Sequence, residues 1–275
     1  LVLSSSATVA KYIHVPNGRH ICYCYIPTRA LWQTNEYFGT SFKQRLIQPF
    51  LNHLKKRDLK AAKRVDTFIA ISKTTKDHIA STYGRNSTIV FSPIDLSQFS
   101  PCEETNNSFL IVSRLEKWKR VDYAIEAFNK LGYPLRVIGT GEEETKLRQI
   151  ARPNITFLGS VNDEDLSEEY ARAKAVIFTP FLEYGLIPLE AAASGTPVIA
   201  FGKGGIQETM IPWAVDGPPA QAATAIFFEE QTAASLEKAV ELFQNVTFSQ
   251  QRLIEHASKW GVPKFKKLLR QTVTN

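Results

Sequence analysis

Two segments of the chain carry charged side chains at positions where a protein can bind an anion. Residues 113–120, with the sequence SRLEKWKR, follow an apolar run and hold Arg114 and Lys119. Residues 183–197, with the sequence EYGLIPLEAAASGTP, start with a carboxylate and a glycine and carry a second carboxylate at Glu190. Because cations bind phosphate oxygens and carboxylates accept hydrogen bonds from hydroxyl groups, the pair predicts a phosphate clamp facing a sugar-binding helix.

The cations of the first segment suit a diphosphate that gains negative charge as it leaves a carbon atom. Arginine offers a planar fork of donors and lysine a point charge, and each charge-assisted hydrogen bond is worth about 1.5–3 kcal/mol. Such donors stabilise the developing charge most strongly in the transition state. Arg114 and Lys119 are therefore candidate catalytic residues. Two basic residues after a strand are, taken alone, more often surface charge.

The second segment predicts a turn into a helix. Gly185 is expected to let the backbone turn sharply, so that the amides of Gly185, Leu186 and Ile187 point outward from a helix N-terminus, as an anion site requires. Glu190 follows about one turn later, where its two oxygens can accept the paired hydroxyls of a ribose. The alternative is that Glu190 is a capping or surface acid, with the small residues after it serving close helix packing.

A short glycine motif follows a different apolar run. Gly139 and Gly141 open a helical pattern, at a place where backbone amides can approach a ligand closely. A tight strand-to-helix turn without a ligand explains the same two glycines.

These segments sit in a regular alternation of short apolar runs and amphipathic helices. Short buried strands separated by helices predict an α/β fold with a parallel, doubly wound sheet. Before residue 100 the alternation has fewer strands, so we expect the N-terminal domain to be incomplete. The predicted strands are 1–4, 20–24, 67–72, 88–91, 109–112, 135–138, 155–158, 175–178, 197–200 and 225–228, with helices near 120–131, 142–151, 163–173, from about 187, and 232–244.

Length and composition favour a soluble protein of two domains. The 275 residues are 44% hydrophobic and 22% charged, without an apolar run long enough to span a membrane. A proline-punctuated stretch at 92–101 predicts domains over 1–100 and 101–257, with 258–275 as a helix that crosses back to the first domain. Cys22, Cys24 and Cys102 are expected to be structural thiols in a reducing cytosol.

The net charge of +6 suggests partners that carry phosphate. The excess is concentrated in residues 43–64, which predict a basic amphipathic helix. Its cations either form the solvated face of a packed helix or contact an anionic membrane surface. Nucleic acid is not an expected partner, because no reader motif accompanies the charge. The apolar stripe would consist of Leu46, Ile47, Phe50, Leu51 and Leu54.

The chain resembles the retaining GT-B glycosyltransferases of family 4, and within them the O-antigen and lipopolysaccharide mannosyltransferases. In the N-terminal part, residues 20–32 and 66–72 are similar to the family. The resemblance covers nearly the whole chain and runs through Ser113-Arg114-Leu115, Lys119-Arg120, Asp122, residues 124–128, Gly139 with Gly141, Phe157-Leu158-Gly159 and residues 185–197.

The resemblance implies a GT-B architecture, in which two Rossmann-like doubly wound domains face a cleft. It implies transfer of a hexose, with mannose favoured, from a nucleotide-diphosphate sugar to a hydroxyl acceptor with retention. GDP-mannose is the favoured donor and a UDP-hexose the alternative, while the acceptor would be lipid-linked or a saccharide. Neither a metal nor another cofactor would be needed, because cationic side chains replace the metal. The protein would be cytoplasmic, with peripheral contact at the inner face of the membrane.

The resemblance also implies individual roles. Arg114 and Lys119 would hold the donor diphosphate, and Glu183 would be the third catalytic residue. The other donor contacts would be Glu190 to the ribose, Gly185, Leu186 and Ile187 to phosphate or sugar, Gly139 and Gly141 to the donor, and Ser160 and Val161 to the base.

Two positions depart from the family pattern. Family members place seven residues between two motif glutamates, but here Leu182 occupies the first position and Glu183 lies one residue later. Tyr25 stands where a histidine is expected after an N-terminal strand. A truncated or degenerate homologue that binds nucleotide without catalysis is therefore the alternative function. A phosphorylase of the same fold would use a pyridoxal phosphate lysine, which nothing in the sequence suggests.

Overall fold

The computed structural model describes residues 1–33, 42–214 and 222–274, with the side chains of 42–47 outside the description. The chain divides into two units, one made of Leu1–Ser92 with Phe265–Asn275 and the other of Pro93–Lys264. Each unit contains a parallel sheet, of four and six strands respectively, which confirms the predicted α/β class. Within the described ranges, no helix has the length and apolar character needed to cross a membrane.

The first unit is built on a parallel sheet in the order β1-β2-β3-β4. The strand β2 is buried along its whole length, and its thiols Cys22 and Cys24 are free and buried, as predicted. The strands are β1 Val2–Ser6, β2 His20–Cys24, β3 Thr67–Ala70 and β4 Ser87–Ile89, and the helices are α1 Arg29–Trp32, α2 Phe42–Lys63 and α3 Lys73–Tyr83.

The basic helix predicted over 43–64 is present as α2. Its predicted apolar stripe is only partly correct, because Leu51 is buried whereas Phe50 is 63% exposed. The predicted positions Leu46 and Ile47 lie outside the described side chains. The buried face of the helix includes instead a carboxylate, Asp58, which is inaccessible to solvent.

Asp58 organises the first unit through a buried hydrogen-bond network. Its ion pair with Lys11, at 2.8 Å, connects α2 to the segment that follows β1. Burial alone would raise the pKa of Asp58. The hydrogen bond and charge of Lys11, together with the hydrogen bonds of Trp32 and Tyr83, outweigh burial and hold the pKa below its ordinary value. The other donors are Tyr12 Oη at 2.9 Å, Thr28 Oγ1 at 3.0 Å, Trp32 Nε1 at 2.8 Å and Tyr83 Oη at 2.7 Å.

Replacing Asp58 by asparagine should destabilise the protein by about 3–5 kcal/mol at pH 7, because the buried ammonium of Lys11 loses its counter-charge. The pKa of Asp58 is lowered by folding, so its contribution is present above the ordinary pKa of 3.8 and is lost as the pH falls through the folded value. Urea unfolding of Asp58→Asn and wild type at pH 7 and pH 3 measures both effects. The matched control is Asp77→Asn on the exposed face of α3; equal midpoints for Asp58→Asn and wild type at pH 7 would contradict the prediction.

The second unit has six parallel strands in the order β10-β9-β8-β5-β6-β7. The order reverses between β5 and β8, as in a doubly wound, Rossmann-type sheet. The strands are β5 Phe109–Val112, β6 Leu135–Ile138, β7 Ile155–Gly159, β8 Ala175–Phe178, β9 Val198–Phe201 and β10 Ala225–Phe228.

Helices cover both faces of this sheet, which explains why its strands are apolar throughout. In β5, Phe109 and Ile111 pack with residues of α4 and α9, whereas Leu110 packs with residues of α7 and α10. The helices are α4 Val121–Leu131, α5 Glu144–Ile150, α6 Asp163–Arg172, α7 Ile187–Ala193, α8 Ile206–Thr209, α9 Ala233–Phe243 and α10 Gln250–Ala257. The last helix, α11 Val262–Thr274, lies for the most part in the first unit.

Candidate functional site

The residues predicted to do chemistry follow the carboxyl ends of strands in the six-stranded sheet, which together form one edge of that sheet. The loops after β8, β5, β6 and β7 emerge side by side from the carboxyl ends of four neighbouring strands. Open α/β sheets bind ligands at this edge, outside the point where the strand order reverses. In strand order, the loops carry Glu183 to Glu190, then Arg114 and Lys119, then Gly139 and Gly141, and finally Ser160 and Val161.

The loop after β5 presents both predicted cations around an indole ring. The Nζ atom of Lys119 lies 4.1 Å from the centre of the Trp118 ring, and the guanidinium carbon of Arg114 lies 6.0 Å from it. Arg114 also pairs with Glu116 at 3.0 Å, and its side chain is 70% exposed. Since cation–π contacts are favourable, Trp118 supports two like charges in one loop. The arrangement leaves the Arg114 guanidinium accessible to an anion.

The two predicted glycines after β6, Gly139 and Gly141, contact the backbone of the loop that follows β5. Gly139 has a φ of +125°, and a methyl group at Gly139 or Gly141 would overlap the backbone of Ser113 or Leu115. The amide of Leu115 donates to Thr140 O at 2.8 Å, which joins the two loops directly. The close approach that the sequence assigns to a ligand is thus made by the neighbouring loop. A ligand contact at the amide edge of this turn stays a prediction.

Gly185 is required for a different reason from the one predicted. Its φ lies outside the left-handed region, so the sharp turn does not depend on glycine's backbone freedom. A Cβ atom would instead lie 2.9 Å from Phe178 Cζ and 3.3 Å from Pro188 Cδ. The lack of a side chain therefore lets this segment pack against the end of β8.

The helix after Gly185 begins at Ile187, with Leu186 as its N-cap. The first amides of a helix have no partner within it, so the amides of Gly185, Leu186 and Ile187 stand where the sequence predicts an anion contact. That contact stays a prediction. Glu190 lies in the first turn of the same helix, α7.

Glu190 is held by Tyr170, a residue that the sequence analysis did not single out. Tyr170 is fully buried on α6, and its hydroxyl donates to Glu190 Oε2 at 2.8 Å. Burial raises the pKa of Glu190, and the hydrogen bond from Tyr170 partly opposes this shift. One acceptor position of the carboxylate is therefore already used, while its remaining lone pairs can still accept a hydroxyl. A tyrosine on a buried helix face needs a polar partner, and that was the available signal.

Glu183 lies under a second glycine loop. Glu183 is only 5% exposed, and a methyl group at Gly205 would overlap the backbone carbonyl of Glu183. Gly204 has a φ of +81°, and the amide of Gly205 donates to Leu182 O at 2.8 Å. The loop after β9 thus fixes the backbone on both sides of the first carboxylate.

The two remaining predicted residues, Ser160 and Val161, follow β7, next to the turn at Gly139–Gly141. Gly159 ends the strand with a φ of +71°, and its carbonyl accepts the amide of Gly139 at 2.7 Å. Ser160 is exposed, whereas Val161 is half-buried and packs on the apolar cluster beneath. The structure therefore places both on the same edge as the cations.

Replacing Glu190 by glutamine should make the protein more stable at neutral pH. The folded pKa of Glu190 is raised above its ordinary value of 4.5, so wild-type stability is highest below that value and falls as the pH rises through the folded pKa. Glutamine removes the buried charge and keeps an oxygen for Tyr170. Thermal unfolding from pH 4 to pH 8 should show a higher melting temperature for Glu190→Gln at pH 7 and a difference that closes towards pH 4.

The matched control for this pair is Glu126→Gln on the exposed face of α4, which should melt like wild type. A melting temperature for Glu190→Gln below that of wild type at pH 7 would show that the ionised carboxylate stabilises the fold.

Comparisons with known proteins show the family of the chain. Residues 95–260, more than half of the chain, match the family described as "Glycosyl transferases group 1". The chain therefore belongs to this family. It is 30% identical over 177 residues to the O-antigen chain mannosyltransferase RfbU of Salmonella typhimurium, which covers 59% of this chain and 48% of the relative. The chain spans about half or less of the length of the curated relatives it matches.

Solved structures show the same fold at lower identity. Sucrose-phosphate synthase from Thermosynechococcus elongatus superimposes with a TM-score of 0.70 at 17% identity, over 92% of this chain and 74% of that one. Anabaena HepE in complex with UDP-glucose also gives a TM-score of 0.70 at 17% identity, over 92% and 72% of the two chains. The parallel α/β architecture is thus that of GT-B glycosyltransferases, as predicted.

Proposed function

We propose that the protein transfers a hexose, with mannose favoured, from a nucleotide-diphosphate sugar to a hydroxyl of a lipid-linked or saccharide acceptor, with retention of configuration. The main supporting observation is that Arg114 and Lys119 follow β5 while Glu183 and Glu190 follow β8, so that all four come after the carboxyl ends of adjacent strands, where the strand order reverses. Family membership supports glycosyl transfer. GDP-mannose is the donor that the sequence resemblance favours. The mannosyltransferase relative supports mannose as the sugar, and HepE, solved with UDP-glucose, supports a UDP-hexose as the alternative donor.

The donor is proposed to lie across the four loops. Its diphosphate would contact Arg114 and Lys119, which follow β5 at the centre of the site. Glu190 would accept the ribose hydroxyls through the lone pairs that Tyr170 leaves available. Ser160 and Val161, after β7, would face the base. The sugar would lie near Glu183, whose backbone is fixed by the loop after β9.

The proposed reaction occurs on one face of the sugar. The bond between the anomeric carbon and the diphosphate oxygen breaks, and the leaving group carries the electron pair. The acceptor hydroxyl forms the new bond from the same face while its proton passes to the leaving diphosphate oxygen. Arg114 and Lys119 stabilise the charge that develops on the diphosphate, which is the role a metal ion would otherwise have. We therefore propose a metal-independent reaction.

Removing either cation should reduce turnover by roughly 10²–10³-fold, because the leaving-group charge then develops with less stabilisation. The measurement is hexose transfer and donor hydrolysis with GDP-mannose and UDP-glucose, for wild type, Arg114→Ala and Lys119→Ala. Arg252→Ala, which removes an exposed cation from α10, is the matched control and should keep wild-type turnover. Unchanged turnover in both site variants would overturn the assignment of these residues.

A second function, nucleotide binding without catalysis, is favoured by one observation. Glu183 is almost fully buried and lies one residue later than the family pattern requires. Calorimetry with GDP and UDP, combined with the turnover assay above, separates the two functions. Nucleotide binding by a protein that turns over neither sugar donor would assign the second.

We further propose that α2 contacts anionic lipid at the inner face of a membrane, in the cytoplasm. Phe50 is exposed on the same helix as the exposed cations Lys56, Arg57, Lys60 and Lys63. Each cation near an anionic surface contributes about 1 kcal/mol, so Lys56→Glu with Lys60→Glu should greatly weaken binding to vesicles containing phosphatidylserine. Lys130→Glu with Lys174→Glu is the control, and equal vesicle binding by the two double variants would refute the role of α2.

A further inference from the structure

The strands β5 and β8 separate before they end. Their hydrogen-bonded ladder pairs Phe109 with Ala175 and Leu110 with Val176, and it stops two residues before the end of either strand. By contrast, β5 and β6 stay paired through Val112. The separation opens the edge of the sheet where the strand order reverses. The loops that carry the two halves of the proposed site therefore diverge here and need another connection.

A single buried hydroxyl provides such a connection. Thr179, the residue directly after β8, is 3% exposed, and its Oγ1 donates to Lys119 O at 2.8 Å. The carbonyl of Thr179 in turn accepts from Gln231 Nε2 at 2.9 Å, in the loop after β10. The hydrogen bonds thus join the loops that follow β5, β8 and β10.

The backbone at Lys119 explains why this carbonyl is available. Lys119 ends a short 3₁₀ turn, and the next residue, Arg120, has a φ of +55°. This left-handed residue interrupts the path into α4, so that the amide of Tyr123 bonds Arg120 O instead of Lys119 O. The carbonyl of Lys119 consequently points out of the helix, and Thr179 donates to it.

We propose that Thr179 is a positioning residue that fixes where the Lys119 ammonium meets a diphosphate. Its hydrogen bond fixes the backbone carbonyl of Lys119, from whose residue the side chain extends, while the ammonium end lies 4.1 Å from the centre of the Trp118 ring. This inference rests on the proposed function, since it assumes that Lys119 binds the donor diphosphate. The position of the Lys119 ammonium would then depend on a residue that follows β8, across the gap between β5 and β8. Thr179 itself would not contact the donor.

The test compares Thr179→Val, which removes the hydroxyl at nearly constant shape, with Thr179→Ser, which keeps it. Affinity is measured by calorimetry for inorganic pyrophosphate, GDP and UDP, and for the nucleosides guanosine and uridine. Loss of one hydrogen bond should weaken pyrophosphate and diphosphate binding by roughly 3- to 10-fold in Thr179→Val. Thr179→Ser should restore most of this loss, and nucleoside affinity should not change.

A double-mutant cycle separates positioning from a general loss of structure. Once Lys119→Ala has removed the cation, adding Thr179→Val should cost no further pyrophosphate affinity. The matched control is Thr224→Val, which removes a buried hydroxyl just before β10, at the amino ends of the strands of the same sheet. It should lower the melting temperature without changing pyrophosphate affinity.

The outcomes distinguish this inference from the proposed function. If wild type binds the diphosphates and Thr179→Val binds them equally well, the positioning role is wrong and the proposed function stands. Additive losses in the double mutant, or equal losses for nucleosides and diphosphates, also contradict the positioning role. If wild type binds neither nucleotide nor pyrophosphate, the proposed function fails and the inference fails with it.

Discussion

The candidate site depends on direct backbone contact between neighbouring loops at the carboxyl edge of one sheet. Gly139 and Gly141 leave room for the backbone of the loop that carries the cations, and Gly204 and Gly205 do the same for the segment around Glu183. Side chains at these positions would hold the loops apart. The loops after β5 and β8 therefore have fixed positions before any ligand arrives, which is the condition for efficient electrostatic stabilisation.

The charged side chains on the two sides of the point where the strand order reverses differ in their exposure to solvent. On the β5 side, the Arg114 guanidinium is largely exposed and can attract an anion from solvent. On the β8 side, the carboxylate of Glu190 is desolvated, and its pKa is raised by burial. In the first unit, Asp58 is also buried, yet its pKa is lowered, because the hydrogen bond and charge of Lys11 and the hydrogen bonds of Trp32 and Tyr83 together outweigh burial. Burial with a full set of donors makes Asp58 structural. Glu190 accepts one hydrogen bond from Tyr170 and keeps further lone pairs, as the proposed ribose contact requires.

Most of the fold could be predicted from the sequence, because strands buried on both faces are continuous apolar runs and their helices show a clear period. The position of Arg114 and Lys119 directly after a strand could be predicted in the same way, whereas their contact with a donor stays a prediction. The contacts of Asp58, Tyr170 and Thr179 could not be predicted, since each joins residues 20 or more positions apart without a local pattern. Helical spacing likewise placed Phe50 on the buried stripe of α2, although it is exposed.

The most direct test of the central claim is a crystal structure of the protein with GDP or UDP bound. We predict that the diphosphate lies over the gap between β5 and β8, with its oxygens within hydrogen-bonding distance of Arg114 and Lys119 and the ribose hydroxyls against Glu190. A nucleotide bound elsewhere, or one whose diphosphate contacts neither cation, would contradict it.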